Sequence, residues 1–205
     1  MDCATSLEQL IDRCLEIGIN CLAIADHGTI EGALELQKKS PFTVIIAEEI
    51  LTPHGEIMGM FLRQGIESNQ SVEETLNQIE TQDGLVCIPH PYDRFRASAL
   101  DNKTLKAIMP SIDIIEVFNA RSLTPGSGAR ARGVMRKFGK LASAGSDAHS
   151  PQEIGNAYVE MPEFIGKSEF LVSLSQGRIV GHSSSPLVHL TSTRNKLRKP
   201  LLDKE

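Results

Sequence analysis

The chain has 205 residues, a net charge of −5, 40% hydrophobic and 23% charged residues, proportions that suit one soluble globular domain with a real core. The acidic balance argues against a surface that coats nucleic acid, and 4% aromatic residues with no Trp argue against a stacking platform for bases. No apolar run approaches a membrane span or a signal peptide, and the four cysteines form no CxxC pair, so the expected setting is a reducing cytoplasm.

Ser6 with Gln9 forms a start signal for a helix over 6–17, and Gly18 is its stop. Leu7, Leu10, Ile11, Cys14 and Leu15 fall on one apolar face of that helix. Residues 21–25 form a continuous apolar run of the kind buried in a parallel sheet, and the run ends in Asp26-His27. A short helix over 30–39 is stopped by Pro41, and the apolar strand 42–47 ends in Glu48-Glu49. The turn Thr52-Pro53-His54-Gly55 leads into a strand over 56–62. Ser71 with Glu74 caps a helix carrying Val72, Leu76 and Ile79 on its core face.

The strand 85–88 ends in Pro89-His90-Pro91. Asp101 opens a helix to about Met109, and a strand over 112–118 ends near Asn119 and Arg121. Residues 129–138 are expected to be helical, and the strand 141–144 runs into Gly145-Ser146-Asp147-Ala148-His149. Ser150-Pro151-Gln152-Glu153 then reads as an N-cap, a first-turn proline and a capping Glu, so Asp147 and His149 sit between a strand and a helix. A strand over 157–161 and an amphipathic helix over 166–176 complete the pattern. From residue 193 the chain turns polar and basic, which divides it into a domain over 1–192 and a tail over 193–205.

Strand–helix alternation of this kind predicts an α/β fold with a parallel sheet and helical crossovers. Successive apolar strands finish in Asp26-His27, Glu49, His90, and then Asp147 and His149. Each alone has a plain structural explanation: a turn cap, a solvated charge or a core histidine. Together, at strand C-termini, they point to one shared metal site. His54, His182 and His189 lie in turns or polar stretches and read as surface residues.

The order Asp26-His27, Glu49, His90-Pro91 and Gly145-Ser146-Asp147-Ala148-His149 resembles the motifs of the polymerase and histidinol phosphatase (PHP) family of metal-dependent phosphoesterases, over almost the whole chain. The resemblance implies a distorted, TIM-like (β/α)7 barrel with two or three divalent metals at its C-terminal mouth. It also implies His27, Glu49, His90, Asp147 and His149 as ligands, with Glu49 a bridge between metals; Asp26 is a further candidate. Asp2 stands where the family has an Asp ahead of the first helix. The family's opening His-x-His is absent, and Met58 fills the slot where many members have a histidine after the Gly-Glu turn. A crossover helix needs a strand before it, so the expectation is a missing first strand, with Met1 internal or a late-called start and roughly ten further residues before it. Such a chain is expected to bind metal weakly and to leave exposed sheet edges.

Mixed imidazole and carboxylate donors suit Zn²⁺, Mn²⁺ or Fe²⁺. Two such ions roughly 3.5–4 Å apart acidify water and clamp phosphoryl oxygens. Asp147 or His149 is the expected catalytic pair, orienting water or protonating the leaving oxygen. Arg94 and Arg96 after His90, and Arg121 after Asn119, are candidate phosphate contacts, because a guanidinium matches phosphate bidentately; the plain alternative is a surface charge or an ion-pair partner. Pro125-Gly126-Ser127-Gly128 reads as a mobile lid at most. The expected function is hydrolysis of phosphate mono- or diesters of a small molecule, a nucleotide or sugar phosphate, with no membrane partner and the oligomeric state open. The alternatives are a PHP-fold scaffold without turnover, favoured by the absent His-x-His, and a C–N hydrolase, weakened by the lack of a strand-end Lys.

Overall fold

The computed structural model describes residues 5–184. Helix α1 (Leu7–Ile17) starts where Ser6 Oγ accepts the Gln9 N–H and Gln9 Oε1 accepts the Ser6 N–H, and it ends at Gly18 with φ 76°. Strand β1 (Cys21–His27) and helix α2 (Glu31–Lys39) follow, then β2 (Thr43–Thr52) and β3 (Gly55–Met60). Next come α3 (Val72–Thr81), β4 (Leu85–Ile88), α4 (Asn102–Ala107) and β5 (Ile114–Asn119). The described chain continues through α5 (Ser127–Phe138), β6 (Leu141–Gly145), β7 (Ala157–Glu160), α6 (Gly166–Ser175) and β8 (Arg178–Gly181).

Strands β1 to β6 form one sheet in chain order, while β7 and β8 form a separate antiparallel pair. Pairing is parallel for β1–β2, β4–β5 and β5–β6, and antiparallel for β2–β3 and β3–β4. The sheet is thus mixed, because a two-residue hairpin can only reverse direction. It curls as a half-barrel, with β1 and β6 as its edges. Edge position explains why the apolar residues of β1 and β6 are half-buried rather than buried.

The period-2 alternation of the strands sorts side chains onto two faces. Val44, Ile46, Ile57, Val86, Ile88 and Ile115 join the core under the helices. Ile45, Ala47, Met60, Leu85, Cys87 and Ile114 face the concave side. There Phe170 of α6 meets Phe61 and Phe164 edge-to-face, ring centroids 5.1 Å apart in both pairs.

Several expectations change. Strand β2 runs on through Glu48 and Glu49, so those carboxylates lie within a strand and not at its end. Leu15 is 56% exposed, so the apolar face of α1 is narrower than its spacing suggests. Residues after Ser150 make only a single 3-10 turn, Pro151–Glu153, because the Glu153 carboxylate is engaged elsewhere and Gly155 takes φ 87°. In α6 Phe170 and Leu174 are buried while Val172 is 60% exposed, so its apolar residues do not form one face. Gly128 is part of α5 and packs so close to the Val117 carbonyl that a Cβ would lie 2.6 Å from it, which makes it a contact glycine and not a lid. The basic tail over 193–205 and the boundary at 192 lie outside the described residues.

Candidate metal and active site

Alternation decides which strand residues reach the concave mouth. His27 has the parity of Cys21 and Ala25, Glu49 that of Ile45 and Ala47, and Glu56 that of Met58 and Met60, all on the concave side. Strand β3 is antiparallel, so its first residues, not its last, lie beside the end of β2. Glu56 therefore enters the mouth from a strand beginning. His90 follows β4 on a loop in which His90 itself (φ 32°) and Tyr92 (φ 67°) adopt left-handed backbone. Non-glycine residues hold that conformation only where their surroundings impose it.

The four side chains interleave as two imidazoles and two carboxylates. His27 Nδ1 lies 3.4 Å from Glu49 Oε2 and 3.4 Å from Glu56 Oε1. His90 Nε2 lies 3.3 Å from Glu56 Oε2 and 3.7 Å from Glu49 Oε1. Glu49, Glu56 and His90 are all buried. Burial works against a charged His90 ring, yet Glu49 and Glu56 outweigh it and push its pKa up to about 9. Burial likewise opposes ionisation of Glu56, but the neighbouring His27 and His90 imidazoles and the Ser98 side chain hold it far below the usual carboxylate range. The cluster thus concentrates negative charge where a cation would be welcome.

Beyond Gly145, Asp147 sits at φ 50° and Asn119 Nδ2 donates to its Oδ2 at 3.3 Å. Arg96 forms an ion pair with the same oxygen. His149 Nδ1 lies 2.9 Å from the Asp147 carbonyl oxygen. A carbonyl only accepts, so Nδ1 carries the proton and a neutral ring presents its lone pair at Nε2. Glu153 fixes this loop: it accepts the His149 N–H (3.1 Å) and the Ser150 hydroxyl (2.9 Å), and Arg121 Nη1 donates to its other oxygen (3.0 Å).

Between the two groups stands Glu116. It accepts the His90 N–H (2.5 Å) and an Asn119 Nδ2 hydrogen (3.0 Å), and burial first of all pushes its pKa up to about 7. Gly145 packs against it, and a Cβ there would lie 2.5 Å from Glu116 Oε1 and force the carboxylate to shift. A cavity of about 1690 Å³ is lined by His27, Glu49, Glu116, Asn119, Asp147 and His149.

The candidates from sequence fare differently. His27, Glu49 and His90 come together, with Glu56 added; Asp147 and His149 line the same cavity on its other side. Asp26 has the opposite parity and lies against α2, where a Cβ on Gly32 would be 2.5 Å from its Oδ2. Glu48, also of that parity, accepts the Ile66 N–H at 2.9 Å. Arg94 is exposed, and Arg121 is buried against Glu153. Arg96 is the guanidinium that pairs with Asp147. Asp2 lies outside the described residues.

The donor set fits a divalent metal by its own geometry. Both His90 ring nitrogens and Glu56 Oε2 are buried without a hydrogen bond. His27, Glu49 and Glu56 each bring a donor atom within 4.8 Å of the others. Buried polar atoms need such a partner, and nitrogen–oxygen sets of this kind suit Zn²⁺, Mn²⁺ or Fe²⁺.

Residues 127–179 match the PHP-associated family model. Over that stretch the chain is similar to the PHP family. Two uncharacterized proteins of Methanocaldococcus jannaschii are similar: MJ1587 is 42% identical over 106 residues, and MJ0417 is 32% identical over 137 residues. Those alignments cover 50% and 62% of this chain but 60% and 58% of the relatives, so the chain spans under two thirds of the length of the curated relatives it matches. PsfC from Pseudomonas syringae shares the fold with TM-score 0.66 at 13% identity, covering 93% of this chain and 88% of PsfC. A proposed metal-dependent phosphoesterase from Bifidobacterium adolescentis gives TM-score 0.57 at 14% identity, over 72% of this chain and 84% of that one. An amidohydrolase from Chromobacterium violaceum, solved with sulfate and no metal, gives 0.60 at 13% identity, over 94% and 93%. The fold is therefore shared with PsfC and with proteins named as a metal-dependent phosphoesterase and an amidohydrolase. Among the described residues, no helix is long and apolar enough to cross a membrane.

Proposed function

We propose that this PHP-like chain is a metal-dependent hydrolase of phosphate esters of small molecules. The observation that carries the reading is the convergence of His27, Glu49, Glu56 and His90 at one mouth, with Asp147 and His149 lining the same cavity and Arg96 paired to Asp147. His27, Glu49, Glu56 and His90 would hold the metals, with Asp147 and His149 completing the set. Bound divalent ions would supply Lewis acidity and acidify water near neutral pH.

The chain's own residues do the rest. Glu49 and Glu56 fix the cluster's charge, and their carboxylates and the His90 ring are locked by burial. Asp147, held by Asn119, orients the attacking water. His149, with Nδ1–H on the Asp147 carbonyl, presents the Nε2 lone pair, which would either complete the metal set or take the proton of the attacking water. Arg96 supplies the fixed positive charge that a phosphoryl group requires.

The experiment is a phosphate-release screen over nucleotide and sugar phosphate mono- and diesters, with Mn²⁺, Zn²⁺ or Fe²⁺ added separately to chelator-treated protein. Release that depends on added metal is expected, and loss of both metal and release in Glu49→Gln. Metal content unchanged in that variant would contradict the assignment.

A further inference from the structure

Asp147 has two claimants. Its place in the motif makes it a ligand for a cation, yet in the structure its carboxylate is taken by Arg96. Their side chains are only 19% and 12% exposed, so this is not a loose surface pair. Glu49 and Glu116 add to the negative field around the guanidinium and, with Asp147, hold its charge against burial.

The backbone beneath Arg96 is anchored. Asp93 accepts the Thr124 hydroxyl (2.5 Å) and the Phe95 N–H (3.2 Å), Thr124 accepts the Arg94 N–H (2.8 Å), and the Arg96 N–H reaches the Asp93 carbonyl (3.2 Å). Exchange of partner is therefore a matter for the arginine side chain alone.

We propose that Arg96 competes with a divalent cation for Asp147 and, once displaced, is the residue that receives the phosphate of the substrate, so that metal and anion bind cooperatively. The proposal rests on the phosphoesterase reading. Cations at Glu49, Glu56 and Asp147 repel the guanidinium and relieve it of its carboxylate. A mostly buried arginine without a counter-ion is costly, and a tetrahedral dianion matches its fork with two parallel hydrogen bonds. Metal alone must therefore work against the ion pair, while metal with an anion does not. By linkage the effect is reciprocal.

The test is a titration with Mn²⁺, the unbound ion followed by electron paramagnetic resonance, with and without methylphosphonate, a phosphate mimic that has no ester bond to hydrolyse. In the unaltered chain methylphosphonate should tighten Mn²⁺ binding by roughly 5–150-fold, the usual span of a coupling between sites. Arg96→Met should bind Mn²⁺ more tightly than the unaltered chain when no anion is present, and methylphosphonate should then change nothing. Arg96→Lys keeps the charge without the fork, and the tightening should shrink. Should Arg96→Met fail to fold, undiminished tightening in Arg96→Lys overturns the proposal. Equal tightening in Arg96→Met and the unaltered chain also overturns it, while leaving metal-dependent hydrolysis standing. An unaltered chain that takes up no Mn²⁺ overturns both.

Discussion

The two sides of the mouth are built on opposite principles. On the β1–β4 side, Glu49 and Glu56 face His27 and His90, and buried atoms of His90 and Glu56 lack hydrogen bonds. On the β5–β6 side every acid has a cation or a donor: Asp147 has Arg96 and Asn119, and Glu153 has Arg121, Ser150 and the His149 N–H. The first side stores a need for positive charge. The second is already neutral and spends its arginines holding geometry. A site that must take a cation and then position an anion benefits from both arrangements.

The largest expected effect comes from breaking the charged side. Glu49→Gln or Glu56→Gln should lower metal affinity by more than the roughly 10–100-fold typical of a residue that only supports a ligand. Glu48→Gln should leave metal content nearly intact, because Glu48 bonds the Ile66 N–H on the opposite face. Metal analysis of the three purified variants checks this, and equal losses would erase the distinction between the faces. On the neutral side, Asp147→Asn or His149→Ala should cut phosphate release by roughly 10²–10⁴-fold, the usual worth of a positioned acid or base, with cooperative unfolding retained.

How much of this was legible before the structure depends on which physical rule spoke. Six strands and the caps at Ser6 and Ser71 follow from apolar runs and local hydrogen bonding, and they are where expected. Strand C-termini do not reveal Glu56, because the hairpin at 52–55 makes β3 deliver its N-terminal end to the mouth. Alternation through Glu56, Met58 and Met60 was the available signal. Asp26 and His27 are adjacent, and only pairing with Glu48 and Glu49 tells which faces inward. Arg121 and Arg96 look alike in sequence, and nothing local reveals that one is pinned to Glu153 and the other to Asp147.

A smaller effect sharpens the neutral side. Glu153→Gln leaves the buried Arg121 without its counter-charge and should cost about 3–5 kcal/mol in denaturant unfolding. Arg121→Met with Glu153→Leu should recover most of that stability but not activity, since the His149 N–H has lost its acceptor. Recovery of activity as well would show that Glu153 does not position the loop.

The smallest effect lies outside both sides and serves as a baseline. Asp101 caps α4 through the Lys103 and Thr104 N–H groups at 2.8 and 2.9 Å. Asp101→Ala should cost about 1 kcal/mol and leave metal binding alone. Bonds from Thr104 above all hold its carboxyl down from 3.8 to about 2, so its contribution is present above pH 3.8 and is lost as pH falls toward 2. Unfolding curves of the variant and the unaltered chain should accordingly converge over that interval.

The most direct test of the two-sided mouth is a crystal of the protein soaked with Mn²⁺ and methylphosphonate, with anomalous scattering recorded at the manganese edge. The account predicts manganese among His27, Glu49, Glu56 and His90, with the phosphonate against Arg96. Manganese bound elsewhere, or a phosphonate against Arg121 or Arg94 with Arg96 still on Asp147, would contradict it.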